Sequence, residues 1–186
     1  MKLNLLICSI FIPLVLFAQE NSDTLMNSGI VYGTDHAFNV KAPSGWILDN
    51  SSGVSQGFQA VFYPIGGSWE NSNTVMYVNT ASKKVEGNET IEKVIEFDLE
   101  NFKQRGAEVF KDTVITLNNI NKKAVLKYFN DKNYENYELV AYIDEETIVA
   151  FIVLSSRDKE EFFSSIPKFI ELLNSYMFLT KNVELK

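Results

Sequence analysis

One cysteine and one histidine are all that 186 residues contain of those types. A lone cysteine excludes a disulfide framework, and a single histidine beside it excludes the common zinc-binding patterns. Nine glycines and four prolines are too few for a collagen-like or linker-dominated chain. Positive charge is scarce too. Seventeen Lys+Arg face 24 Asp+Glu, giving −7 at neutral pH and an isoelectric point near 4.8, which argues against a nucleic-acid binder with its basic face. No phosphate loop, dinucleotide fingerprint or internal repeat occurs, and the only mostly apolar stretch approaching a membrane span in length lies at the N-terminus. What remains is 46% hydrophobic and 13% aromatic, enough for the core of one globular domain.

Residues 1–18 differ in kind from the rest. Lys2 is the only positive charge before Lys41, and a sixteen-residue stretch from Leu3 to Ala18 is mostly apolar and gives way at once to Gln19, Glu20 and Asn21. A basic start, a short apolar stretch and a small closing residue describe a secretory signal peptide. A membrane span needs about 20 apolar residues, and Asn4, Ser9 and Pro13 interrupt this one. Cleavage is expected after Ala18 or after Gln19. Cys8 lies inside the stretch rather than at its junction, so lipidation is not expected. The product is expected to be periplasmic or secreted, soluble, and without an integral membrane segment.

Residues 19–29 read as a flexible lead-in, 30–180 as one domain, and 181–186 as a polar tail. Strand patterns cover Phe38 to Ala42, Trp46 to Leu48, Phe58 to Tyr63 and Thr74 to Thr80, with loops at 50–57 and 64–73. Ile91, Val94, Ile95, Leu99 and Phe102 form a helical stripe, capped by Asn88 or Thr90 and ended by Gly106. Three strands are expected next: Val109 to Leu117, Ala124 to Asn130 and Tyr137 to Ile143. Thr147 to Leu154 is almost wholly apolar, as an interior strand buried on both faces would be. Ser155 or Ser156 is expected to cap a last helix, which buries Phe162, Ile166, Phe169, Ile170, Leu173 and Met177 and breaks near Pro167. The sum is an α+β fold: a mainly antiparallel sheet with helices on both faces.

Phe38-x-Val40-x-x-Pro43-x-Gly45-Trp46 resembles the opening of the PsbP-like family. The order of elements over residues 30–180 is similar to that family as well. The resemblance implies an αβα sandwich, used by extrinsic photosystem subunits, by a nuclear-transport accessory protein that binds a small GTPase, and by bacterial envelope proteins. It carries no catalytic residue onto this chain. It implies a scaffold for binding other proteins, and fold alone does not fix function.

Four residues stand out as binding candidates. His36, beside Asp35, is the sole imidazole for acid–base work, but the bland reading places both in a polar turn before the Phe38 strand. Asp98 falls within the apolar stripe of the first helix. An unpaired buried carboxylate is costly, so Asp98 is expected where the stripe leaves the core and the acid reaches solvent, the alternative being a buried, functionally tuned acid. Trp69 sits in a Gly-rich loop, either as an anchor for a partner or folded back as a lid over the sheet edge. The acidic run Asp144-Glu145-Glu146 reads as a solvated hairpin tip rather than a cation site. Asn50 and Asn88 match the glycosylation pattern.

The expected function is a non-enzymatic binding or accessory module, with an envelope protein as partner and no cofactor, catalytic residue, metal or nucleic acid. Two alternatives stand beside it. One is a carrier with an enclosed cavity of at least ~300 Å³ between sheet and helix. The other is a hydrolase or metal-dependent enzyme using His36. In the interior strand, Phe151 is expected under one helix and Ile152 toward the opposite layer, with Phe151→Ala costing ~3–5 kcal/mol.

Overall fold

The computed structural model describes residues 27–118 and 120–183. The signal-peptide reading of residues 1–18, most of the 19–29 lead-in and the end of the 181–186 tail lie outside the described residues. Strands β1 (Ser28–Gly33), β2 (His36–Lys41), β3 (Trp46–Asp49), β4 (Ala60–Pro64) and β5 (Thr74–Ser82) precede helix α1 (Ile91–Gln104). Strands β6 (Ala107–Leu117), β7 (Lys122–Asp131), β8 (Asn136–Asp144) and β9 (Ile148–Ser156) follow it, and helix α2 (Lys159–Ser175) and strand β10 (Met177–Thr180) come last. The fold is an antiparallel sheet between two helical layers, as expected.

The main sheet has the order β3-β4-β5-β9-β8-β7-β6, with every neighbouring pair antiparallel. The apolar strand β9 is therefore central, pairing with β8 on one side and β5 on the other. Alternation along it supplies both layers. Ile148, Ala150, Ile152 and Leu154 join Phe162, Phe169, Leu172 and Leu173 of α2 in the larger core. Val149, Phe151 and Val153 join Val94 and Phe102 of α1 in the smaller one. Phe151 and Ile152 thus point to opposite layers as expected, but Phe151 is only half-buried.

A second sheet, β1-β2-β10, was not legible as such. Its strands are short, and β10 reads in the sequence as the end of a helix. Ser28 and Gly29 belong to β1 rather than to a flexible lead-in, pairing with Lys41 and Val40. The inner residues Val31, Phe38 and Val40 extend the α2-side core, where Phe38 meets Tyr176 at 5.0 Å between ring centroids.

Three expectations about the last helix are corrected. Pro167 lies inside α2 without ending it, because Phe162 before it and Phe169, Leu172 and Leu173 after it are all buried on the same core. Packing of that stripe outweighs the one backbone bond that proline cannot donate. Met177 is exposed as the first residue of β10, and Tyr176 takes the buried place. Neither Ser155 nor Ser156 is the N-cap: Asp158 is, with Oδ1 accepting from the Glu161 amide at 2.8 Å. Asp158→Ala should therefore lower stability by ~1 kcal/mol, read from the shift of a urea unfolding midpoint.

Thr90 caps α1, accepting from the Lys93 amide. At the other end Gly106 has φ +87°, and a Cβ there would collide with the Asn133 side chain. Asn133 Nδ2 donates to the Arg105 carbonyl at 2.6 Å, tying the end of α1 to the β7–β8 turn. That tie places Arg105.

Candidate functional site

Helix α1 covers only part of its face of the sheet. Beyond its C-terminus the sheet is left open as a cleft of about 770 Å³. The floor comes from Val75 and Tyr77 of β5, Ser155 of β9, and Asn136 and Glu138 of β8. These residues share a face because side chains alternate along each strand, and the registers set Val75 and Glu138 on either side of Ser155. Phe58 and Trp69 form one wall. Trp69 stands edge-on to Phe58 at 5.7 Å and to Tyr77 at 6.1 Å, and Phe58 lies 4.3 Å from Tyr77. Arg105, Arg157 and Tyr134 border the rest.

A narrower space of about 200 Å³ continues under α1, lined in part by Tyr77, Asp98, Phe102, Arg105, Glu138 and Phe151. Carboxyl groups there are tuned by their surroundings. Asn136 Nδ2 donates to Glu138 Oε1 at 2.9 Å and to Ser155 Oγ at 3.0 Å. Burial pushes the Glu138 carboxyl up to about 7; Arg105 opposes the rise and the Asp98 charge adds to it. Tyr142 Oη donates to Asp98 Oδ2 at 2.5 Å. Burial raises Asp98 despite that bond and the Arg105 charge. The phenols of Tyr77 and Tyr142 are raised as well, by burial first and then by these carboxylates.

The structure brings two of the four sequence candidates to this region. Trp69 is a half-buried wall of the cleft, folded onto Phe58 and Tyr77. Asp98 is corrected from a solvent-facing acid to a half-buried one, held against the sheet by Tyr142. His36 and Asp35 lie elsewhere: Thr34 and Asp35 form the turn between β1 and β2, as the polar-turn reading has it, but Asp35 and His36 are buried rather than open to solvent. His36 Nδ1 is 3.1 Å from Asp35 Oδ1, while Ser82 Oγ donates to Asp35 Oδ2 at 3.1 Å and Thr147 Oγ1 to the Asp35 carbonyl at 2.7 Å. The group joins the β1–β2 hairpin to the main sheet. The serine meets the aspartate and not the imidazole, so this is not the order of a nucleophilic triad.

Glu145 is also corrected. It is buried, 2.5 Å from Lys122 Nζ and 3.1 Å from the donating Tyr176 Oη, whereas Asp144 and Glu146 stay exposed. Among the described residues no group of three or more His, Cys, Asp or Glu is placed to hold a metal ion. No helix among them is long and apolar enough to cross a membrane. Sequence reading missed Phe58, Tyr77, Glu138, Arg105 and Arg157. The usable signal was rarity, since these are the chain's only two arginines.

The architecture is that of the PsbP-like αβα sandwich. The solution structure of the cyanobacterial PsbP (CyanoP) from Synechocystis matches with a TM-score of 0.55 at 14% identity, over 85% of this chain and 96% of that one. The Ran-binding protein Mog1p of Saccharomyces cerevisiae gives 0.46 at 14% identity, over 84% and 97% of the two chains. PA94 of Pseudomonas aeruginosa, a protein of unknown function and putative regulator by its description, gives 0.44 at 13% identity, over 80% and 95%. No family model and no curated protein matches the sequence.

Proposed function

We propose that this chain is an exported, non-enzymatic binding module that contacts a partner protein of the cell envelope through the cleft beyond α1. The observation that carries the reading is the concave, uncovered stretch of sheet with Trp69, Phe58 and Tyr77 gathered on one side. Aromatic side chains packed against one another offer large contact area at small entropic cost, and tryptophan is enriched at binding hot spots. The apolar stretch in residues 1–18 supports export. The carrier reading needed an enclosed cavity of ~300 Å³ or more between sheet and helix, whereas the space under α1 is about 200 Å³. The enzymatic reading needed His36 in a concave pocket, and it lies outside the cleft, buried beside Asp35.

Affinity capture from the native envelope fraction tests this, with wild type, Trp69→Ala and Tyr32→Ala compared side by side. Tyr32 is an exposed aromatic on β1, outside the cleft. Trp69→Ala should weaken retention of a discrete partner roughly thirtyfold, the loss typical of a hot-spot tryptophan. Tyr32→Ala should retain it. Equal retention by Trp69→Ala would remove the cleft from the contact. Substrate turnover lost on His36→Ala would overturn the non-enzymatic assignment.

A further inference from the structure

We infer that the cleft receives an acidic, aromatic-bearing peptide segment of the partner protein, with its carboxylates on Arg105 and Arg157 and its aromatic side chain against the Trp69–Phe58–Tyr77 wall. The inference deepens the reading of the cleft as the contact surface and rests on it. Its first ground is the state of the two guanidinium groups. Both residues are exposed and both line the cleft. Among the described residues eight lysines stand in ion pairs, namely Lys83, Lys84, Lys93, Lys122, Lys127, Lys132, Lys168 and Lys181. Neither arginine side chain has a hydrogen bond or close ion pair among those residues; Arg105 lies over the Phe102 ring at 4.4 Å, and its charge reaches Glu138 and Asp98 only from further off. Lys41, Lys103, Lys111, Lys123 and Lys159 are without an ion pair among the described residues too, but none of them lines the cleft, where the two arginines come together. Guanidinium groups pair carboxylates in a two-pronged geometry that lysine does not offer.

The second ground is the company they keep. Glu70, Asp131 and Glu138 line the same cleft, which disfavours a polyanion such as nucleic acid and suits separate single charges. Asp131 is already engaged, its Oδ1 accepting from the Asn133 and Tyr134 amides. The Ser155–Asn136–Glu138 chain on the floor offers polar groups to a peptide backbone. A small molecule is normally enclosed over most of its surface, while this cleft opens broadly to solvent, so a peptide chain can enter and leave it.

Glu138 gives the contact a pH dependence. It faces Arg105 and Asp98 from α1, Asp131 from the end of β7 and Tyr77 from β5, with Asn136 on its own strand. Protonated, it adds no negative charge to the floor; ionised, it opposes an incoming carboxylate. Its transition near 7 makes acidic peptides bind more tightly at pH 6 than at pH 8.

The test is titration with acetyl-Gly-Glu-Phe-Glu-Gly-amide, one carboxylate for each arginine, at low salt, followed by Trp69 fluorescence. Trp46, the other tryptophan, is buried and provides a constant background. The acidic peptide should bind at or below about 1 mM and at least about tenfold more tightly than its Gln-for-Glu counterpart. Arg105→Gln and Arg157→Gln should each weaken it about tenfold or more, and Glu138→Gln should abolish the difference between pH 6 and pH 8. Equal affinity for the Gln peptide, unchanged binding by both arginine variants, or no binding at several times about 1 mM would overturn the inference. So would equal binding of phenylsuccinate, which would make the site a small-molecule pocket. Envelope capture separates the two failures. Retention lost with Trp69→Ala but kept with both arginine variants would remove the acidic segment and leave the contact surface standing.

Discussion

Phe169→Ala should lose about 3–5 kcal/mol in urea unfolding, the range for a fully buried phenylalanine, whereas Phe151→Ala should lose roughly half of that. Phe169 has no exposed surface and lies in the α2-side core with Ile152, Leu154 and Phe62. Its removal leaves a sealed void whose lining loses contacts that water cannot replace. Phe151 is half-buried, edge-on to Tyr142 at 5.4 Å, and borders the space under α1. Truncating it enlarges a gap already reached from solvent, so the cavity part of the cost shrinks. Domains are typically stable by ~5–15 kcal/mol, so Phe169→Ala should melt far lower or fail to fold. Equal losses at the two positions would show that the α2 face is not the main core.

The second large effect belongs to Glu138. Its folded-state value of about 7 lies above its ordinary 4.5, so the native chain holds this proton more tightly than the unfolded one. Stability therefore falls as pH rises from about 4.5 through about 7, because the native state binds more protons in that window. The whole penalty is at most about 3 kcal/mol, from 1.36 kcal/mol per pH unit. Asp98, raised in the same direction, adds to the slope. Asp35, Asp49 and Glu171 are shifted the other way, their hydrogen bonds outweighing burial. Their contribution is lost only as pH falls through the lower carboxylate range, below the Glu138 window. Glu138→Gln keeps an acceptor for Asn136 and removes the charge. It should match wild type near pH 4.5 and exceed it by up to about 3 kcal/mol at pH 8, by urea unfolding at both pH values. A constant difference across pH would show that Glu138 does not titrate in that window.

The layered architecture was legible where period and length agreed. The stripe from Ile91 to Phe102 gave α1, and the uncharged run from Ile148 to Leu154 could be stable only inside a sheet. Short strands carried weaker signals. Met177 to Thr180 continues the apolar spacing of α2, and nothing local shows that the chain turns away at Tyr176 to pair with β2. The burial of polar residues at turns was missed for a related reason. Asp35, His36 and Glu145 look like turn residues, and their partners Ser82, Thr147, Lys122 and Tyr176 are distant in sequence. Of the cleft, Trp69 was visible by its setting in a glycine-rich loop. Its neighbours come from β5, β8, β9 and the end of α1, and only the strand order assembles them.

The placement of β2 between β1 and β10 also has a kinetic consequence. Residues near opposite ends of the described chain must meet there, with Asn39 opposite Met177. The β5–β9 seam similarly joins Thr74 to Ser156 across α1 and three strands. Pairings this remote in sequence pay loop-closure entropy before they return any contact energy, and chains rich in them fold on millisecond-to-second scales. A chain still emerging from its C-terminal end lacks the strand that covers one edge of β2, so the small sheet closes only once the last strand is present. Until then Phe38 lacks the cover of Tyr176.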